Sequence, residues 1–119
     1  MVFLYEKVSG YFLYFCIQLE QYKMHFISQE LEDYIEQHSE NEPELLAKLN
    51  KETYQKILLP RMLSGHFQGR VLSMLSKIIH PINILEIGTY TGYATLCLAE
   101  GLAEAGTIDT IDIEEELVD

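Results

Sequence analysis

Apolar residues recur at helical spacing along the chain from residue 26 to residue 80. This pattern predicts three helices, over residues 28–38, 41–60 and 66–80. Ser28 is a suitable N-cap for the first helix, and Pro43 fits the first turn of the second. Pro60 and Pro81 should end the second and third helices, because proline cannot continue the hydrogen-bond ladder.

The pattern changes after Pro81, where apolar residues form short continuous runs. Residues 82–87 are rich in isoleucine, which is typical of a parallel strand buried on both faces. Helical spacing resumes over residues 94–102, and residues 107–113 form a second strand-like run. The predicted fold class is α/β, with N-terminal helices followed by the first βαβ part of a Rossmann-like, doubly wound sheet.

The turn between the first strand and the next helix carries the candidate chemistry. Gly88 ends the strand and Gly92 precedes the helix, an arrangement that lets a ligand approach the backbone and the helix amides. Asp112 follows the second strand, 24 positions after Gly88. An acid at about this spacing binds ribose hydroxyls in Rossmann folds, so the sequence predicts a nucleotide-type site.

The identity of the turn residues distinguishes between ligands. A dinucleotide fingerprint would need glycine where Tyr90 and Tyr93 stand, which disfavours a nicotinamide-dependent oxidoreductase but leaves it as an alternative. Glu86 lies on the strand just before the turn. An acid there suits a positively charged group, such as the amino group of a methionine moiety.

Residues 85–93 read Leu-Glu-Ile-Gly-Thr-Tyr-Thr-Gly-Tyr, and residues 110–113 read Thr-Ile-Asp-Ile. Together with residues 62–70, they resemble the S-adenosylmethionine-dependent O-methyltransferases of the catechol and caffeoyl-CoA type. The resemblance covers residues 28–119 and implies methyl transfer to a hydroxyl of a catechol- or caffeoyl-like small molecule. One departure is Ala94, because family members usually carry serine at this position.

The resemblance and the pattern together assign a set of cofactor-binding residues. The predicted contacts for S-adenosylmethionine are Glu86 at the methionine end, Gly88, Tyr90 and Gly92 at the turn, and Asp112 at the ribose. The resemblance adds Met62 and Ser64, near the methyl-transfer site and the cofactor carboxylate. Four of these residues have a structural alternative, since Glu86 could cap backbone amides, Gly88 and Gly92 could simply form a turn, and Asp112 could begin an acidic helix. Tyr93 is expected to pack against the first strand, and His66 to act as a cap or surface residue or to approach the cofactor.

The family resemblance also implies a divalent cation, usually magnesium, and a lysine base. In that family the metal ligands and the base lie beyond the segment matched here, so no catalytic or metal residue is assigned. A metal site built from Asp112 and residues 114–116 is disfavoured, because successive helical residues cannot all face one ion.

The composition narrows the partners. With 8 basic and 19 acidic residues the net charge is −11, whereas nucleic acids and anionic membranes are bound through clustered Lys and Arg. We therefore expect neither a nucleic acid nor a membrane as a partner, and expect a small-molecule acceptor instead. Cys16 and Cys97 lie in separate segments without metal-ligand spacing, which favours buried free thiols and a cytoplasmic protein.

The expected organisation has three parts: residues 1–23 as an N-terminal extension of doubtful status, 24–81 as a helical segment, and 82–119 as the start of the cofactor domain. Two parallel strands leave unpaired edges, so we expect an N-terminal part of a longer enzyme that is inactive alone. The family resemblance is compatible with a homodimer of that enzyme. A non-catalytic fragment or an acidic interaction module is the alternative.

Overall fold

The computed structural model describes residues 27–117. The predictions for residues 1–23 and for Cys16 lie outside these residues. Contacts divide the chain into two units between residues 33 and 34, and the site described below lies wholly in the second unit. The boundaries at residues 24–81 and 82–119 stay a prediction.

The described part begins with helices, as the apolar pattern predicts. Helix α1 spans Gln29–His38, α2 spans Glu44–Lys56, a 3-10 turn spans Pro60–Met62, and α3 spans Gly65–Ile79. Helix α2 ends at Lys56, four residues before Pro60 rather than at it, and the backbone of Ile57 is already extended. None of the described helices combines the length and apolar character needed to cross a bilayer.

A βαβ unit follows the helices. Strand β1 spans Asn83–Ile87, helix α4 spans Tyr93–Ala99, strand β2 spans Thr107–Ile111, and a 3-10 turn spans Glu115–Leu117. The strands are parallel, with Asn83 opposite Thr107 and Ile87 opposite Ile111. This mixed arrangement with a small parallel sheet confirms the predicted α/β fold class.

Helix α4 and strand β2 are both shorter than predicted. Helix α4 stops at Ala99 rather than residue 102, and the Ala103 amide then donates to the Pro81 carbonyl at 2.9 Å, which turns the chain back towards β1. Strand β2 stops at Ile111 rather than residue 113. The Asp112 side chain accepts the Glu114 amide at 2.9 Å, and this local bond turns the backbone away from the strand ladder.

The core lies between α2, α3 and α4. Leu46, Tyr93 and Cys97 are buried, and Leu49, Leu63 and Leu72 pack against them. Cys97 therefore lies on the inward face of its helix, as predicted, and is a free thiol. Tyr93 packs in this helical core, whereas we expected it against β1. Its ring lies beside Gly69 of α3, where an added Cβ would come within 2.8 Å of the tyrosine Cε1 atom.

The prediction that β1 is buried on both faces is wrong for the described residues. Leu85 is 65% exposed, Ile87 is 80% exposed, and Ile111 on the neighbouring strand is 54% exposed. These three side chains share one face, because side chains alternate along a strand and Ile87 is paired with Ile111. Glu86, on the opposite face, is buried. Residues 27–117 thus cover one face of the sheet and leave an apolar face open.

Candidate cofactor site

The loop between β1 and α4 has an unusual backbone. Gly88, Tyr90 and Gly92 have φ angles of 93°, 52° and 83°, in the region that glycine tolerates and tyrosine rarely adopts. A Cβ added at Gly88 or Gly92 would meet no atom within 4 Å, so open space lies in front of both glycines. The two glycines therefore serve the backbone conformation and leave room for a ligand.

The loop is joined to the end of β2. The Gly88 amide donates to the Ile111 carbonyl at 2.8 Å, which extends the strand ladder by one bond. The Tyr90 amide donates to the Asp112 carboxylate at 2.6 Å. These bonds place Asp112 at the carboxyl end of the sheet beside the glycine turn, as the spacing predicted.

Asp112 is held as a carboxylate. The Tyr90 and Glu114 amides both donate to it. These bonds, of which the Tyr90 bond has the larger effect, lower the pKa of Asp112 below its usual range. The Ile113 and Thr89 amides also lower the pKa of Asp112, to a smaller extent, so four backbone amides lie close to the carboxylate. Asp112 is nevertheless exposed, so ligand hydroxyls can reach its carboxylate.

A cleft of about 320 Å³ opens beside Asp112, at the low end of the usual range for ligand pockets. It lies at the carboxyl ends of the strands, where open α/β sheets bind their ligands. The lining residues are Thr89, Tyr90, Thr110, Asp112, Glu114, Glu115 and Leu117. The cleft brings together two predicted site residues, Tyr90 and Asp112. Thr89, Thr110 and Leu117 were not predicted, although their positions next to Tyr90, Asp112 and the acidic run could have suggested them.

The other five predicted residues lie outside this lining, and two of them, Gly88 and Gly92, form the loop described above. Glu86 is buried and accepts a hydrogen bond from the Thr95 hydroxyl of α4, rather than capping backbone amides. Met62 is 66% exposed on its 3-10 turn. Ser64 precedes α3 and makes no side-chain capping bond. The roles of these three residues at the methionine end of the cofactor stay predictions.

The loop is also anchored to the helical segment, by contacts that the sequence did not predict. The Tyr90 hydroxyl donates to the Leu59 carbonyl at 3.0 Å, and burial raises the pKa of the Tyr90 phenol. The Thr53 hydroxyl of α2 donates to the Thr91 hydroxyl at 3.1 Å. The glycine loop is thus fixed from the strand side and from the helix side.

Within residues 27–117, no group of three or more His, Cys, Asp and Glu side chains could hold a metal ion. His66 lies apart from the cleft lining, and its Nε2 atom is hydrogen-bonded to the Glu40 carbonyl at 2.6 Å. This contact agrees with the structural alternative for His66.

A comparison with known families settles the membership of the chain. The model of the O-methyltransferase family matches residues 36–119, more than two thirds of the sequence. The chain belongs to the O-methyltransferase family. The resemblance identified from the glycine loop and Asp112 is thereby confirmed.

Curated relatives include several plant O-methyltransferases. An Arabidopsis thaliana protein named as a candidate caffeoyl-CoA O-methyltransferase is 44% identical over 92 residues, which are 75% of this chain and 40% of that protein. The caffeoyl-CoA O-methyltransferase of Petroselinum crispum is 39% identical over 75 residues, 63% of this chain and 31% of the relative. The chain thus spans less than half the length of the curated relatives it matches.

Solved structures of O-methyltransferases share the fold. The Bacillus cereus enzyme in complex with SAH aligns with a TM-score of 0.66 at 30% identity, covering 73% of this chain and 39% of that one. TomG of Streptomyces achromogenes is involved in tomaymycin synthesis, and its structure contains S-adenosylmethionine (SAM). It aligns with a TM-score of 0.65 at 30% identity, and the alignment covers 74% of this chain and 39% of TomG. Family membership and these SAM- and SAH-bound neighbours support S-adenosylmethionine as the cofactor.

Proposed function

We propose that this O-methyltransferase family member binds S-adenosylmethionine in the cleft beside Asp112, with the Asp112 carboxylate accepting the two ribose hydroxyls. The observation that carries the proposal is the place of Asp112 at the end of β2, where the Tyr90 amide fixes its exposed carboxylate at 2.6 Å beside the cleft. Gly88 and Gly92 leave the approach to the backbone open.

The charge of the cleft favours this cofactor over a dinucleotide. Asp112, Glu114 and Glu115 all line it, and no Lys or Arg does. Such a lining repels a pyrophosphate and suits a cofactor that carries a positive sulfonium group. The nicotinamide alternative has no comparable support in the described residues.

Glu86 is proposed to act at the methionine end of the same cofactor. It is the buried acid of β1, directly before the glycine turn, and the Thr95 hydroxyl fixes its side chain. An acid at this place can balance the positive amino group of the ligand. Met62 and Ser64 are proposed to approach the same end of the cofactor.

The proposed reaction is transfer of the cofactor methyl group to a hydroxyl of a catechol- or caffeoyl-like small molecule. The curated relatives with caffeoyl-CoA in their names support this acceptor class. The chain's own residues would bind and orient the methyl donor, which reduces the entropic cost of reaching the transition state. Since the described residues form no metal-binding cluster, no step is assigned to a metal ion. The buried free thiol Cys97 supports a reducing, cytoplasmic setting.

Calorimetric titration tests the cofactor proposal. The 119-residue chain should bind SAH, the demethylated form of the cofactor, and should not bind NAD. Glu86→Gln should weaken SAH and leave adenosine binding unchanged, because adenosine lacks the methionine end. Binding of NAD without binding of SAH would contradict the proposal.

Methyl transfer is tested separately in a hybrid enzyme. Residues 36–117 would replace the matching segment of the Bacillus cereus O-methyltransferase, with caffeoyl-CoA and catechol as acceptors. The hybrid should transfer the methyl group of S-adenosylmethionine to an acceptor hydroxyl. A folded hybrid that binds SAH and methylates neither acceptor would contradict the acceptor class but not the cofactor.

A further inference from the structure

Thr53 carries a buried hydroxyl on the face of α2 that packs into the core. It lies in the last turn of α2, seven residues after Leu46, so both residues project from nearly the same side of the helix. Leu46 belongs to the core, and Thr53 is only 2% exposed. A hydroxyl in such a place is costly unless it is hydrogen-bonded.

The partner of Thr53 is in the glycine loop. Its hydroxyl donates to the hydroxyl of Thr91 at 3.1 Å, across 38 positions of sequence. Thr91 itself is half-buried and lies between Tyr90 and Gly92. In the described part of the chain, this bond is the one that satisfies the Thr53 side chain.

The loop needs such support because its backbone is strained. Tyr90 has a φ angle of 52°, which a non-glycine residue keeps only when its surroundings hold it there. Its amide must also point at Asp112, at 2.6 Å, for the carboxylate to stay in place. Thr91 is adjacent to Tyr90 in the chain, so a shift of Thr91 moves this amide.

We propose that Thr53 is a positioning residue for the cofactor: through Thr91 it holds the glycine loop in the conformation that presents the Tyr90 amide to Asp112. The inference rests on the proposed function, since it concerns the same cleft. Tyr90 has a second tether to the Leu59 carbonyl, so removing the Thr53 bond should weaken the site and not abolish it.

Threonine-to-valine substitutions isolate the hydrogen bond, because valine keeps the shape and removes the hydroxyl. Thr53→Val should weaken SAH binding about threefold to tenfold, the factor for losing one net hydrogen bond. Thr91→Val should have the same effect, and the double variant should be no weaker than either single one. Thr53→Ser, which keeps the hydroxyl, should bind like the parent.

A matched control is Thr107→Val. The Thr107 hydroxyl also donates to a side chain, Asn83 at 3.2 Å, but at the opposite end of the strands. It should leave SAH binding unchanged. Amide hydrogen exchange gives a second readout without ligand: residues 89–92 should exchange faster in Thr53→Val and at the parental rate in Thr107→Val.

The outcomes separate this inference from the proposed function. If the parent binds SAH and Thr53→Val binds it equally, the inference is overturned and the proposed function stands. Additive losses in the double variant would also overturn it, since the two hydroxyls would then act independently. If the parent does not bind SAH, both are overturned. Thr91 is less buried than Thr53. If the Thr53→Val variant does not fold, the Thr91→Val variant therefore still gives a decisive test.

Discussion

The Tyr93 hydroxyl donates to the Glu42 carboxylate at 2.6 Å, and this bond ties the helix after the glycine loop to the segment before α2. The tyrosine ring is 1% exposed, and Glu42 also accepts a bond from Asn50 at 3.4 Å. Burial, followed by the bond to Glu42, raises the pKa of the Tyr93 phenol. The phenol therefore stays protonated and keeps its role as a donor.

Tyr93→Phe should lower the free energy of unfolding by about 1–2 kcal/mol, because the ring still fills the core and only the bond to a carboxylate is lost. Chemical denaturation measures the change. Tyr54→Phe is a suitable control, since Tyr54 is 60% exposed and should change stability little. Equal effects of the two substitutions would show that the Glu42 bond does not stabilise the fold.

The Arg70–Glu100 pair predicts how stability depends on pH. Arg70 donates to Glu100 at 2.5 Å, and Ser73 and Lys77 donate to the same carboxylate. These bonds lower the pKa of Glu100 to about 2, and the bond from Arg70 has the largest effect. Because the folded value lies below the ordinary unfolded value of about 4.3, the stabilisation is complete above that value and is lost as pH falls towards 2.

The unfolding temperature should therefore fall between about pH 4.3 and pH 2, and Glu100→Gln should reduce this slope. Glu104→Gln is the matched control, because Glu104 is exposed and has no hydrogen bond or ion pair within residues 27–117. Thermal denaturation of the parent and the two variants, followed by circular dichroism, measures the slope across this pH range. If Glu100→Gln keeps the slope of the parent, Glu100 is not the source of the pH dependence.

The order of elements could be predicted from the sequence because it depends on local periodicity. The apolar stripes placed α1 and α3 within one residue, and the change to short runs placed β1 and β2. Asp112 was also predictable, since its position relative to Gly88 follows from the strand–helix–strand order alone.

The contacts between distant segments could not be predicted in this way. Thr53 and Thr91 are 38 positions apart, and nothing local marks either as a partner of the other. Tyr93 was expected to pack against β1, because nothing in the local pattern shows that its ring meets α3 instead. Its neighbour Gly69 is small enough to admit the ring, which is a property of packing between helices.

The open face of the sheet predicts self-association. Leu85, Ile87 and Ile111 expose apolar side chains on one face, and such patches are sites of association. The net charge of −11 opposes this, so association should increase with salt as the repulsion is screened. Sedimentation velocity over a range of protein and salt concentrations measures it.

Leu85→Lys should reduce the association, because it places a charge in the middle of that face opposite Asp109. Leu58→Lys is the control, since Leu58 is 85% exposed outside the sheet. A monodisperse parent that stays monomeric at high salt and unfolds cooperatively would show the prediction wrong.

Asp112→Ala should weaken SAH binding about tenfold to a hundredfold, the range for losing charge-assisted hydrogen bonds. The substitution also removes the acceptor of the Tyr90 amide, so the loss by itself does not identify the ribose as the ligand group. Comparing ligands with and without ribose hydroxyls separates the two effects.

The most direct measurement is therefore titration of the parent and of Asp112→Ala with adenosine and with 2′,3′-dideoxyadenosine. If Asp112 accepts the ribose hydroxyls, the affinity of the parent for adenosine should exceed its affinity for the dideoxy ligand by a factor of about ten or more. The Asp112→Ala variant should bind the two ligands with equal affinity. An unchanged preference for adenosine in Asp112→Ala would contradict the role of Asp112 in binding the cofactor ribose.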